Sequence, residues 1–259
     1  MFKYFLITAL FLIGIIGCEN SSEPTGEYGT LRMYLVDLPS TFDSVVVSVR
    51  QVQVHSAGNS NTGWYVINDS LRSFDLLQLM NGASAVLGDS VLPAGKYTQI
   101  RLVLGGSNYV VDNGTKYDLT VPSGMETGIK LNHSFTIEPN TLYELLLDFN
   151  VDKSVHITGT GEYKLDPVIR IMPLVISGSI SGQVLPSEAL AKVFTTMGLD
   201  TVTTYPDQDG IFKLMALPEG TYDVEIFPEN VSYKDTVIQN IDVTAGSDTD
   251  IGLIELSTN

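Results

Sequence analysis

The sequence predicts an all-β protein, with two antiparallel β-sandwich domains in tandem behind a signal peptide and a short tether. Three observations carry this expectation. Short runs of Val, Ile, Leu, Tyr and Phe alternate with polar residues at period two along most of the chain. Asp, Asn, Gly, Ser and Thr gather between those runs, where turns need them. After the first eighteen residues, only one stretch breaks period two in a way that admits a helix. With 44% hydrophobic residues in 259, the chain has enough apolar surface for a packed core, and its length suits one large or two modest domains.

Residues 1–17 read as a signal peptide. Lys3 gives the positive start, and Tyr4–Ile16 is an apolar run too short to span a hydrocarbon layer of about 30 Å. Ile15-Ile16-Gly17-Cys18 resembles the bacterial lipobox. That resemblance implies cleavage before Cys18, diacylation of its thiol and acylation of the new N-terminus, with the membrane as a partner through the lipid. Cys18 is the only cysteine, so no intramolecular disulfide competes for it. A plain signal peptide with an incidental cysteine is the alternative. The expected location is the cell envelope, at the outer membrane, facing either side. Residues 18–27 are polar, with one Pro and one Gly, and form a tether.

The first domain is expected over residues 28–175. Thr30–Val36 opens its strands. In Asp43–His55, Val45, Val47 and Val49 share one face while Val52 and Val54 take the other parity, so a bulge or bend is expected at Arg50-Gln51. Trp64–Ile67 is a short strand, and Leu71–Gly82 has room for one or two helical turns. Leu92–Leu104 is a tight turn followed by a strand with Ile100, Leu102 and Leu104 on one face. Asn113-Gly114 within Tyr109–Val121 is a strong hairpin signal. Ile129, Leu131, His133, Phe135 and Ile137 align on one face of the next strand. Leu142–Asn150 and Glu162–Leu174 complete the series.

Composition shifts at Ser177–Gly182, and residues 177–257 are expected to form a second, smaller sandwich. There Tyr222, Val224 and Ile226 alternate with polar residues, and Asp209-Gly210 reads as a hairpin turn between Thr201–Tyr205 and Ile211–Met215. The motif LPxGxY occurs twice, at Leu92–Tyr97 and Leu217–Tyr222. Shared turn chemistry explains the echo as well as duplication does.

Residues 179–256 resemble the carboxypeptidase regulatory-like domain, on Gly182-Gln183-Val184, Asp209-Gly210-Ile211-Phe212, Leu217–Tyr222 and Val243-Thr244-Ala245-Gly246. The resemblance implies a seven-stranded, prealbumin-like sandwich of the carbohydrate-binding-like class, without chemistry of its own. Residues 28–173 resemble domain-of-unknown-function family 4382, frequent in Bacteroidota. The matching residues include Leu35-Val36-Asp37-Leu38-Pro39, Gly63-Trp64, Asp75-Leu76-Leu77, Val121-Pro122-Ser123-Gly124, Leu147-Asp148-Phe149 and Leu165–Arg170. This second resemblance implies an exported, lipid-anchored β domain with no assigned activity.

The chain carries 30 Asp+Glu against 14 Lys+Arg, a net charge of −16 that disfavours nucleic acid and anionic headgroups as partners. No catalytic motif occurs, and no enzymatic activity, cofactor or metal is expected. Asp207-Gln208-Asp209 mimics the start of a calcium loop, but Pro218 stands where the twelfth-position Glu is needed, so a turn is favoured. Asp148 and Asp152 are the one carboxylate pair offered to a weaker, hydrolase reading. His133 on its apolar face reads as a satisfied core or cleft histidine. Arg101 and Arg170 lie within apolar strands and need a carboxylate, for which Asp148 is the candidate: a structural ion pair.

For a ligand platform the chain offers Trp64 and Tyr65, beside the loop Ser56–Gly63, with one of the pair facing outward; Trp64 as an anchor of the first core is the alternative. Asp-Ser/Thr-Val/Leu strings such as Asp43-Ser44-Val45 and Asp200-Thr201-Val202 resemble the Bacteroidota O-glycosylation sequon, and a turn leading into a strand gives the same string. The functional expectation is a lipid-anchored envelope protein with a non-catalytic binding or display role, toward a glycan or another envelope protein. A structural subunit of a fimbria-like or other envelope assembly is the alternative, favoured by a first or last strand without a partner.

Overall fold

The structure is a computed structural model that describes residues 27–37, 40–57, 63–122, 127–198 and 200–259. Cys18, the signal peptide and the tether as far as residue 26 lie outside the described residues. The first unit contains β1 (Tyr28–Asp37), β2 (Ser44–Ser56), β3 (Trp64–Asn68), β4 (Arg72–Asp75), β5 (Ala85–Pro93), β6 (Gly95–Leu104), β7 (Tyr109–Asp112), β8 (Thr115–Thr120), β9 (Ile129–Ile137) and β10 (Leu142–Phe149). A single α-helical turn, α1 (Val151–Ser154), leads to β11 (Val155–Ile157), β12 (Tyr163–Leu165) and β13 (Ile169–Pro173). The fold is all-β.

One sheet has the order β13-β10-β1-β5, and a nine-stranded sheet is built around β2. The register shows β6 and β7 end to end along one edge of β2, and β3 and β4 end to end along the other. Between the sheets lies a core that includes Leu31, Met33, Val52, Val54, Ile100, Leu145 and Leu147. The expected phase switch in β2 is a register shift against β6 between Val49 and Gln51, which keeps valines on the core side of both halves. Most ladders are antiparallel, but β1–β10 and β8–β12 run parallel. Leu71–Gly82 holds β4 and one 3-10 turn, Leu76–Gln78, rather than a helix. Asp75 caps that turn by accepting from the Leu77 N–H. The arm Glu162–Leu174 splits at Asp166–Val168 into β12 and β13, which join different sheets.

The second unit contains β14 (Ser177–Leu185), β15 (Ala191–Met197), β16 (Asp200–Thr204), β17 (Ile211–Pro218), β18 (Gly220–Pro228), β19 (Thr236–Val243) and β20 (Asp248–Glu255). Its seven strands form a three-stranded sheet, β17-β14-β20, facing a four-stranded sheet, β16-β15-β18-β19. The pair β14–β20 is parallel. The hairpin expected at Asp209-Gly210 is corrected here: β16 and β17 belong to opposite sheets, and the turn carries the chain across the core. Asp207 shapes that turn by accepting from the backbone N–H groups of Asp209 and Ile211. Gly210, at φ +80°, presses against the Val184 carbonyl where a Cβ would collide. Both LPxGxY turns close in the same way, with the Tyr97 hydroxyl donating to the Pro93 carbonyl and that of Tyr222 to the Pro218 carbonyl, each at 2.8 Å.

The two units pack together. Val36, Leu146 and Ala216 are buried between them beside Tyr34, Met172, Leu174 and Met215. The second sandwich therefore covers one end of the outer face of sheet β13-β10-β1-β5. Asn81 pins the junction: its Nδ2 donates to the Ile211 carbonyl at 2.9 Å, and its Oδ1 accepts from the Lys213 N–H.

Candidate functional site

Strand parity decides which side chains leave the core. In β6, Ile100 and Leu102 point inward, so Gln99 and Arg101 point outward. In β2, Val52 and Val54 point inward, so Gln51, Gln53 and His55 point outward. Pairing then lines these residues up: Trp64 opposite His55, His55 opposite Gln99, Gln53 opposite Arg101, Gln99 opposite Asn132, and Arg101 opposite Lys130. The result is one flat outer face across β3-β2-β6-β9, carrying an indole, two cations and four side-chain amides.

The face is ordered by its own contacts. The Arg101 guanidinium lies 3.7 Å from the centroid of the Trp64 ring, a cation–π contact of about 0.5–2 kcal/mol. Its Nη1 donates to Gln53 Oε1 at 3.1 Å, and Gln53 Nε2 donates to Gln51 Oε1 at 3.0 Å. Gln99 Nε2 donates to Asn132 Oδ1 at 2.9 Å. His55 meets the indole edge to face at 4.9 Å. Gly128 leaves room for the Arg101 stem, since a Cβ there would lie 2.8 Å from Arg101 Cγ. Arg101 Nε is buried and has no hydrogen-bond partner.

The predicted platform is thereby divided. Trp64 stands on the outer face and is not an anchor of the core. Tyr65 takes the opposite parity, packs half-buried against the first core and meets Tyr97 edge to face at 5.9 Å, so it does not share the outer face with Trp64.

The predicted ion pair is divided too. Arg170 and Asp148 are opposite one another on β13 and β10, and Asp148 Oδ2 accepts from Arg170 Nη2 at 2.6 Å and from Nε at 3.1 Å. Arg101 does not join them, because β6 lies in the other sheet and its outward parity takes the side chain away from β10. Burial pushes the Asp148 carboxyl above its ordinary value, and Arg170 pulls it back only in part. This pair sits at the junction, where Arg170 Nη1 also reaches Met197 Sδ at 3.5 Å. Asp152, its suggested catalytic companion, is exposed in α1.

His133 is half-buried beside Phe135, and its Nε2 is buried without a partner, so the expectation of a satisfied histidine is corrected at that nitrogen. Burial lowers its pKa. Among the described residues no group of three His, Cys, Asp or Glu side chains is placed to hold a metal ion. Two cavities lie elsewhere. One of about 690 Å³ runs along the junction past Leu142, Val175 and Ser177, and one of about 620 Å³ lies between Leu190 and Tyr205. The first is lined in part by Glu144, Lys213 and Asp248, the second by Glu188, Asp207 and Glu229, and neither holds an indole.

A family model described as "Domain of unknown function (DUF4382)" matches residues 28–167, more than half of the chain. The chain belongs to that family. The DUF4382 region contains the whole outer face of β3-β2-β6-β9 and stops before β13. No curated protein matches the chain. Among solved structures, shaft pilin spaA from Lactobacillus rhamnosus GG (D295N mutant) aligns over 91% of this chain and 100% of its own, at 9% identity and a TM-score of 0.27. The minor pilin GBS52 of Streptococcus agalactiae aligns over 88% and 96%, at 11% identity and a TM-score of 0.23. A cohesin–X-dockerin complex from Acetivibrio cellulolyticus aligns over 31% of this chain at 22% identity and a TM-score of 0.26, and this chain spans 58% of that one. Likenesses at these scores carry no argument about activity.

Sequence reasoning named Trp64 and Arg101 but assigned them separate roles, and it missed Gln51, Gln53, Gln99, Lys130 and Asn132. The signal was present in the parity of each strand. What was missing was the strand order that sets the four strands side by side.

Proposed function

We propose that this DUF4382 protein is a lipid-anchored component of the cell envelope that binds carbohydrate without catalysis, through the outer face of β3-β2-β6-β9. The observation that carries the reading is the set of Gln51, Gln53, Gln99 and Asn132 beside the Trp64 indole. A side-chain amide both donates and accepts, which matches the adjacent hydroxyls of a sugar, and an indole offers a flat apolar surface to the C–H groups of the ring. The amides are partly satisfied by one another, so they hold their positions before a ligand arrives. Cys18 would carry the lipid, and the second sandwich, which we place with the carboxypeptidase regulatory-like domains on its motifs, would serve as a spacer.

Glycan-array screening of the chain tests the binding. The expected outcome is recognition of a defined set of glycans that Trp64→Ala together with Gln99→Ala weakens about tenfold or more. Binding that ignores both substitutions, or no binding to any glycan, would sink the proposal. Metabolic labelling with palmitate tests the anchor: the wild type should incorporate label and Cys18→Ser should not. The fimbrial alternative gains nothing from the chain ends of the fold, since β1 is flanked by β10 and β5 and β20 is paired with β14.

A further inference from the structure

Four neighbouring strands of the first sandwich together carry cations and no acid. The chain carries 30 Asp+Glu, yet β2, β3, β6 and β9 contain none of them. Their cations are Arg50, Lys96, Arg101 and Lys130. Elsewhere Arg32, Lys153, Lys164, Arg170 and Lys213 each have an aspartate within 2.6–3.7 Å, whereas Arg72, Lys116, Lys192 and Lys234 appear in no described ion pair. Among the described ion pairs, none includes Lys96, Arg101 or Lys130.

Arg101 and Lys130 are moreover direct cross-strand partners. Like charges placed opposite one another destabilise a sheet, and here no carboxylate on the four strands relieves them. Arg101 turns away from Lys130 and across β2, where Trp64 and Gln53 hold its guanidinium over the middle of the face. Of its five N–H donors, the Nη1 bond to Gln53 occupies one, and Nε has no partner. A guanidinium held against the indole by its Nη1 bond, on a face that also carries an ammonium with no ion pair among the described residues, is arranged to receive an anion at its remaining Nη donors.

We infer that the glycan bound on this face is anionic, a uronate-bearing polysaccharide whose successive carboxylates meet Arg101 and Lys130 while the amides take its hydroxyls. This inference rests on the carbohydrate-binding reading above and names the class of sugar. The net charge of −16 repels a polyanion at long range, so attraction must come from this patch at short range.

The test uses the full chain in detergent micelles and compares four probes by affinity electrophoresis and calorimetry: polygalacturonate, a neutral glucan, a sulfated glycan and a DNA duplex. Polygalacturonate is expected to bind best. Its affinity should fall roughly tenfold in Lys130→Gln, with the circular dichroism spectrum unchanged and the thermal midpoint no lower than in wild type. Arg101→Lys, which keeps the charge but loses the planar fork, should lose a similar factor. If the neutral glucan binds as well as polygalacturonate and Lys130→Gln leaves both unchanged, the anionic assignment is overturned while carbohydrate binding stands. If the sulfated glycan or DNA binds equally well, the face is a general anion patch and the uronate assignment fails. If no glycan binds at all, both readings fall together.

Discussion

Asp148 and Arg170 differ in how much water each could recruit once its partner is gone. The Asp148 side chain is 5% exposed and that of Arg170 is 21%. Arg170→Met therefore strands a buried carboxylate and should destabilise by about 3–5 kcal/mol. Asp148→Asn leaves a cation that reaches solvent and should cost less, about 1–2 kcal/mol, in urea unfolding at neutral pH. The pH dependence has a defined sign. The folded carboxyl binds its proton more readily than its ordinary value of 3.8 implies, so its contribution is fully present at acid pH and lost as pH rises through the folded value. Without Arg170 that value climbs further, and the deficit of Arg170→Met should shrink on acidification; a deficit that grows instead would show the carboxyl to be stabilised by something other than Arg170. His133 behaves oppositely. Burial lowers its pKa from 6.5, so the stability it permits is intact above that value and is lost as pH falls below it. His133→Leu removes both the titration and the unpartnered Nε2, and the variant should be less acid-sensitive than wild type in thermal melts between about pH 7 and pH 5.

At the scale of elements, β2 explains how much of the fold was legible. Its parity switch was readable because a valine leaves the core only if the backbone shifts, and the register shift at Val49/Gln51 is that event. The Asn113-Gly114 turn was readable for a similar local reason, with φ of +50° and +73° at its two residues. Asp209-Gly210 offered the equivalent Asp-Gly signal and misled, because a turn dipeptide fixes the backbone at two residues and says nothing about which sheet the next strand joins. The candidate site failed to show for that reason too: Gln53, Arg101 and Lys130 are far apart in sequence, and only the order β2-β6-β9 makes them neighbours. The crossing turn yields its own prediction. Gly210→Ala forces a Cβ toward the Val184 carbonyl at positive φ and should cost about 2 kcal/mol or more. Gly114→Ala, at a similar φ with open space around it, should cost about 1 kcal/mol. Equal losses in chemical denaturation would mean that the close approach at Gly210 contributes nothing beyond its φ.

For the whole molecule, the junction determines whether the outer face of β3-β2-β6-β9 is held at a fixed angle to the second sandwich. Each unit has its own core, so either could stay folded if the contact between them opened. The contact is a small apolar seam around Val36, Leu146 and Ala216, framed by the Asn81 bonds and by Arg170 reaching Met197. Leu146 is 2% exposed there and points away from the first core, where Leu145 and Leu147 lie. Leu146→Asp thus places a charge in the seam while leaving both cores intact. The chain crosses between the units at Leu174–Ile176, where Val175 and Ile176 are 68% and 53% exposed. Wild type should unfold calorimetrically as one cooperative unit and resist protease at this crossing, because the seam braces both sides of it. Leu146→Asp should show two separated transitions, faster cleavage near Val175 and a larger radius of gyration in solution scattering, with the circular dichroism of the strands preserved. Asn81→Ala should move the same three readouts in the same direction but less far, since it removes hydrogen bonds and leaves the apolar seam closed. A single transition and unchanged cleavage in Leu146→Asp would show that the seam does not couple the two sandwiches.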